Sequence, residues 1–247
     1  YANTPMKFYT NNTERMQITS SGNVGIGTAS PANYYADELV VTAADEGGMT
    51  LVTGTGHANY IAFADGTSGN AAYRGFVKYD HDNDKMTLGT AGTSAIEVNI
   101  IGNVTKPLQP AFSVYKSIAQ NNIPTATDTL ITWGTEIYDV GSNFASNTFT
   151  APVTGKYFLN TGIRVDSMDA VHYYNFYIET SNRRYMNIHD YSRLTADPTY
   201  WSLSMTALVD MDVGDTATVG IYQASGATQT DIGTDASRSF FHGYLLG

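Results

Sequence analysis

Short alternations of apolar and polar residues run along the whole chain, interrupted every few positions by Gly, Asn, Asp, Thr or Pro. This period of two predicts short β-strands joined by tight turns, and no stretch carries a convincing helical period. Near the start, "MKFY" and "RMQI" flank a "TNNT" turn and are followed by "NVGIG", in which Val24 and Ile26 share one face and Gly25 and Gly27 the other. The same texture recurs: residues 6–18, "MKFYTNNTERMQI", align without gaps to residues 86–98, "MTLGTAGTSAIEV", at an offset of 80, and Gly22, Asn23 and Val24 fall on Gly102, Asn103 and Val104. Self-similarity at a fixed period points to modular or fibrous architecture. After the second copy "TKPLQP" (105–110) replaces the expected glycine-isoleucine-glycine, and its two prolines predict an extended connector.

Beyond the connector the alternation becomes longer, as in "KYFLNTGIRV" (156–165), "VHYYNFYIE" (171–179), "YWSLSMTALV" (200–209) and "TATVGIY" (216–222), which reads as an all-β sandwich. Tyr157, Leu159, Ile163 and Val165 share one strand face and read as core or protomer contact. His172, Tyr174, Phe176 and Ile178 form the more apolar face of their strand, which leaves Tyr173, Asn175 and Tyr177 outward.

The glycines of 22–27 do not make a nucleotide loop, because a dinucleotide fingerprint needs a helix after the glycine turn and Thr28-Ala29-Ser30-Pro31 opens none. In so short a strand, two apolar side chains on one face and bare backbone on the other suit close approach of several chains, as at the axis of a homotrimer, with Val24, Ile26, Gly25 and Gly27 as its packing residues.

Composition narrows the classes further. Acids outnumber bases 23 to 13, for a formal net charge of −10, which argues against nucleic acid as a partner. Cysteine is absent, removing disulfides, thiolate metal sites and a cysteine nucleophile. No apolar run reaches the roughly 18 residues of a membrane helix, so membrane insertion is not expected. The start at Tyr1, without initiator Met or signal-like segment, reads as a fragment or processed product.

"TERMQITSSGNVGIGTASP" (13–31) resembles the recurring segment of bacteriophage tail fibres and related adhesins, and "IAFADGTSGNAAYRGFVKYDHDNDKMTL" (61–88) is similar to what such fibres place between two copies. The resemblance covers about the first 104 residues and implies a trimeric, β-rich shaft. "PAFSV" (110–114), "FTAPVTGKYFL" (149–159), "VDMDVGDTATVGI" (209–221) and "SFFHGYLL" (239–246) together resemble the globular head of complement component one, subcomponent q, and its tumour-necrosis-factor-like relatives. That implies a trimeric jelly roll. Phe149, Pro152, Gly155 and Tyr157 match the family's spacing, Gly214 and Asp215 its hairpin turn, and Phe241 and Gly243 its terminal strand. The polar, aromatic stretch 180–199 departs from it as an insert-like loop.

The domain reading is therefore the end of a preceding shaft repeat (1–24), a β-rich shaft unit (25–104), a linker (105–110) and a jelly-roll head (111–247). The five histidines lack zinc spacing, no serine sits in a nucleophile elbow, and nothing singles out a carboxylate pair among the acids, so no enzyme is expected. "YDHDND" (79–84) starts like a calcium loop, but Lys85 and Ala91 occupy the glycine and glutamate positions, and it reads as a solvated turn. The head resemblance leaves calcium open. The aromatic interval 172–201 is the recognition candidate, with Tyr173 and Tyr177 on the outward face and Arg183, Arg184 and Tyr185 at the turn, because sugars pair apolar C–H faces with hydrogen-bonding rims. The expected function is the distal part of a virion tail fibre, outside the cell, binding a host-surface glycan or protein receptor. The alternative is a secreted microbial protein whose shaft and head polymerise into an extracellular fibre.

Overall fold

The structure, a computed structural model, describes residues 3–170, 172–226 and 230–247. Its residues cluster into two units, 1–59 with 80–82, and 60–79 with 83–247. In the first, β1 (Met6–Thr10), β2 (Thr13–Ile18), β3 (Val24–Ile26) and β4 (Leu39–Val41) form a sheet in that order. Asn11 and Asn12 both take positive φ, the turn that matches the twist of a two-residue hairpin. The register brings Met6, Ile18, Val24 and Leu39 into one cross-strand row and Phe8, Met16, Ile26 and Val41 into the next. All eight lie on one face, and Met6 (60% exposed), Leu39 (61%) and Val41 (54%) show that this monomer does not cover it.

A second sheet runs β5 (Ala58–Phe63), β6 (Gly75–Asp80), β7 (Lys85–Thr90), β8 (Thr93–Val98) and β9 (Val104–Thr105). The 80-residue repeat is reproduced here in detail. Ala91 and Gly92 take the positive φ of Asn11 and Asn12, and each hairpin has one register shift at the same place, after Phe8 or Leu88. In the first copy Gly22 N–H donates to Thr19 O (3.0 Å) and Thr19 N–H to Asn23 O (2.8 Å); in the second Gly102 donates to Asn99 (2.8 Å) and Asn99 to Asn103 (3.1 Å). Met86, Leu88, Ile96, Val98 and Val104 repeat the apolar rows, and Lys106 stands where Ile26 would recur. The 79–84 run is the β6–β7 turn, where Asp82 N–H donates to Asp80 and Tyr79 to Asp84.

Gly25, in β3, and Gly27, just after it, each lie close to backbone of their own chain. A Cβ on Gly25 would overlap Thr28 O, and one on Gly27 would overlap Thr42 O in a backbone already at φ +75. Within the chain these close approaches are to Thr28, in the turn after β3, and to Thr42, just after β4. The expected boundary after residue 24 passes through β3.

From residue 111 the chain is a two-sheet jelly roll. Its strands are β10 (Ala111–Tyr115), β11 (Gln120–Ile123), β12 (Asp128–Leu130), β13 (Thr135–Val140), β14 (Phe144–Ala145), β15 (Thr148–Thr150), β16 (Gly155–Asp166), β17 (Tyr173–Thr180), β18 (Arg184–Asp190), β19 (Tyr200–Met211), β20 (Thr216–Gln223), β21 (Thr230–Ile232) and β22 (Phe240–Leu245). One sheet runs β13-β10-β22-β16-β19, with β21 and β11 beyond the end of β22; the other runs β15-β20-β17-β18, with β12 also on β20. The core lies between them: Phe112 stacks on Phe149 (4.6 Å), and Phe241 meets Phe112 edge-on (4.9 Å). Tyr157 is fully buried yet satisfied, its hydroxyl donating to Val153 O at 2.7 Å. Gly243 is required because a Cβ would overlap Phe112, Gly155 lies against Leu245, and Gly214 turns the β19–β20 hairpin at φ +91 while Asp215 accepts from Asp212 N–H (2.8 Å). Pro152 precedes β16 in the turn between β15 and β16.

Two expectations change. His172 is exposed, although Tyr174, Phe176 and Ile178 are buried as their alternation predicts, because β17 starts only at Tyr173. The insert-like stretch 180–199 contains β18, a sheet-edge strand whose exposed side chains give no alternation to read.

Candidate functional site

The β17–β18 hairpin places the predicted recognition residues in three surroundings. Glu179 pairs with Arg184 in register. The Arg184 guanidinium bonds Glu179 (3.0 Å) and Asp128 (2.9 Å) and lies 4.0 Å above the Tyr177 ring. Tyr177 can lie flat because β20 carries Gly220 beneath it, where a Cβ would overlap the ring. Burial, reinforced by Asp128, pushes the Tyr177 hydroxyl up, so it stays protonated. Tyr177 is on the outward face as the alternation says, but it is 3% exposed: Arg184 covers its ring and Asp128 takes its hydroxyl. Tyr185 turns toward the core, with Arg183 5.9 Å over its ring. Arg183 itself is presented to solvent at the turn, and Asn182 anchors that turn by donating to Asp215 (2.9 Å).

Tyr173 is exposed beside Tyr222 (6.3 Å), with Ile188, Asn175 and Tyr222 in the adjacent row. It sits at the opposite end of β17 from Arg183, on the order of 25 Å away at about 3.3 Å per residue. The predicted residues therefore do not converge: Arg183 marks one end of the hairpin and Tyr173 the other.

A better-formed concavity lies elsewhere, at the end of β16 and the start of β19. Arg164, Tyr200, Trp201, Ser202 and Arg238 line a cleft of about 640 Å³. Pairing sets Arg164 opposite Ser202 and Asp166 opposite Tyr200. Asp166 grips Arg164 through two hydrogen bonds of 2.8 Å, which hold the guanidinium pKa up, and Arg164 lies 5.4 Å over the Tyr200 ring. Asp235 joins Arg238 to Arg164 (3.6 Å), and its own pKa is lowered by Ser237, then by the two arginines. Gly233 makes room for the Arg164–Asp166 pair. Trp201 was within the aromatic interval; Arg164 and Arg238 were not, and no local signal joins positions so far apart in sequence.

The outer face of the β10-β22-β16-β19 sheet carries an apolar row in which Leu208, Phe158 and Tyr244 are neighbours, with Phe158 and Tyr244 5.3 Å apart. One row further, Ser113 Oγ and His242 Nδ1 are 2.8 Å apart and Phe240 stacks on the imidazole at 4.4 Å. The serine occupies the Nδ1 side, where a catalytic triad places its carboxylate, so the pair reads as an oriented structural histidine. Burial lowers the His242 pKa. Among the described residues no three His, Asp or Glu side chains come together as a metal site, and no helix is long and apolar enough to cross a membrane.

No family model matches the chain, and no curated protein does either. Among solved structures the chain is similar to the globular domain of a zebrafish complement 1qA protein, at 14% identity over 56% of this chain and 98% of that one, with a TM-score of 0.40. It is also similar to murine APRIL, at 14% identity over 56% of this chain and 99% of that one, with a TM-score of 0.41. The jelly-roll assignment rests on the strand order described above.

Proposed function

We propose that this chain is the shaft and head of a viral tail fibre, assembled as a homotrimer outside the cell, whose jelly-roll head attaches to a cell-surface receptor that is a glycan. The observation that carries this reading is the apolar face built twice, 80 residues apart, by β1–β3 and β7–β9 and left uncovered in the monomer. A face of that kind is stable in water only when another surface covers it, and a repeat of the same face along one chain is most simply covered by the same repeat in further copies. The Leu208–Phe158–Tyr244 row offers the head its own contact surface. With three heads per assembly, weak single sites add through avidity.

Sedimentation of the full chain tests assembly: a trimer is expected, and a stable 26.7 kDa species at micromolar concentration contradicts it. Adsorption of labelled chain to bacterial surfaces tests attachment. End-to-end filaments in electron micrographs, with no adsorption, would support the secreted polymer instead. Leu130 and Met186 share a row with Gly220 and Tyr177 on the outer face of the β20-β17-β18 sheet, with Ile188 in the next row on that face, and these three exposed side chains are where such polymer contacts would form.

A further inference from the structure

The cleft at the end of β16 has a chemistry that selects among ligands. Its two guanidiniums, Arg164 and Arg238, are paired with Asp166 and Asp235, which lie behind the lining residues, so the polar wall presents donors whose charge is already balanced. Its aromatic part is Tyr200, 65% exposed, with Arg164 over one side of its ring; Trp201 also borders the cleft but, as the next residue of β19, points to the opposite side of the sheet, toward Tyr191 at 5.1 Å. The volume of about 640 Å³ lies within the range of small-ligand sites, roughly 300–1,000 Å³. Along β16 the cleft is about 20 Å from the Phe158 row, at about 3.3 Å per residue, so covering that row in an assembly leaves the cleft's own strand end outside the covered row.

We propose that this cleft is a binding site for a neutral hexopyranose unit of a surface polysaccharide; it deepens the attachment reading and rests on it. A pyranose presents an apolar C–H face and a rim of hydroxyls that both donate and accept. Tyr200 provides the flat apolar surface, the guanidiniums donate to hydroxyl oxygens, and the Ser202 hydroxyl both donates and accepts. Charge decides the class. An acidic sugar would have to compete with Asp166 and Asp235, which already pair the two guanidiniums, in a chain whose net charge is −10, and a cationic ligand would meet both arginines. A neutral polyol meets neither penalty and leaves no charge unpaired when the cleft is desolvated.

The test is calorimetric titration of the full chain with a panel of neutral methyl hexopyranosides and with methyl glucuronoside as the acidic counterpart. At least one neutral glycoside is expected to bind in the millimolar range, at least tenfold tighter than the uronoside, with less than a twofold change between low salt and 0.5 M NaCl. Tyr200→Ala and Arg238→Gln, both at exposed positions, are each expected to weaken that binding at least tenfold while circular dichroism and sedimentation stay unchanged. No binding by any neutral glycoside, preference for the uronoside, or indifference to both substitutions overturns the proposal. Adsorption to cells separates the two readings: wild-type-like adsorption by Tyr200→Ala leaves attachment standing and removes the cleft, whereas glycoside binding without adsorption to any surface keeps the cleft and removes attachment.

Discussion

The repeat sheets and the head are built from the same alternating strands, yet they use them in opposite ways. In the head, two sheets turn their apolar faces toward each other and close Phe112, Phe149, Tyr157, Phe176 and Phe241 away from water. In the first repeat sheet the equivalent rows, Met6-Ile18-Val24-Leu39 and Phe8-Met16-Ile26-Val41, keep most of their large side chains exposed, and among the described residues that unit holds one sheet only. The difference teaches that alternation alone fixes which residues share a face, and the presence of a facing layer decides whether that face becomes a core or a contact surface.

The comparison breaks most visibly through one aromatic from each region. Phe149→Ala should cost the head about 3–5 kcal/mol in urea denaturation, as expected for a truncated core phenylalanine. Phe8→Ser should leave head stability within about 0.5 kcal/mol, since it lies on an exposed surface. Both tryptophans, Trp133 and Trp201, belong to the head, so their fluorescence reports it alone. If Phe8→Ser left assembly intact in sedimentation, the repeat face would not be a contact surface.

Next in size is the head's buried amine. Lys116 is 1% exposed, and its ammonium donates to Thr132 O (2.8 Å) and Gln120 (3.2 Å); burial pushes its pKa down to about 8. The unfolded chain holds that proton up to its ordinary value of 10.5, so between pH 8 and 10.5 the unfolded state binds more protons and head stability rises with pH. Over the whole window the gain is about 3 kcal/mol. The buried tyrosines Tyr157, Tyr174 and Tyr177, with raised pKa values, oppose it above pH 10. Lys116→Met should abolish the rise between pH 8 and 10; an unchanged slope would assign it to another group.

Gly25→Ala sharpens the role of the repeat glycines. Its Cβ has to displace Thr28, so about 1–3 kcal/mol should be lost from the local stability of β3, read by hydrogen exchange of Val24–Ile26. If instead exchange is unchanged and only assembly fails, the glycine serves the neighbouring copies after all. The smallest effect is expected at the hairpin, where Glu179→Gln leaves Arg184 its Asp128 partner and should cost about 0.2–1 kcal/mol.

What was legible in the residues follows the range of the interactions. The repeat could be read down to its turns because "TNNT" and "TAGT" act within four residues, and β16, β17, β19 and β20 announce themselves by alternation. β18 escaped because most side chains of this edge strand are exposed, and Tyr185, which turns toward the core, is set off by no apolar period. Tyr177 was assigned to the right face, but its burial depends on Gly220, 43 positions away, and on Arg184 folding over the ring. The cleft was illegible for the same reason: Arg164, Tyr200 and Arg238 meet only through strand pairing and the Asp235 link.

The paired positive-φ turns at Asn11-Asn12 and Ala91-Gly92, with identical register shifts beside them, have an evolutionary consequence. In each copy the hairpin and the Gly-Asn turn that follows it pair backbone groups only a few residues apart, so their shape travels with their own sequence. A local unit of that kind is one that an in-frame duplication copies whole, and its two occurrences here stand 80 residues apart.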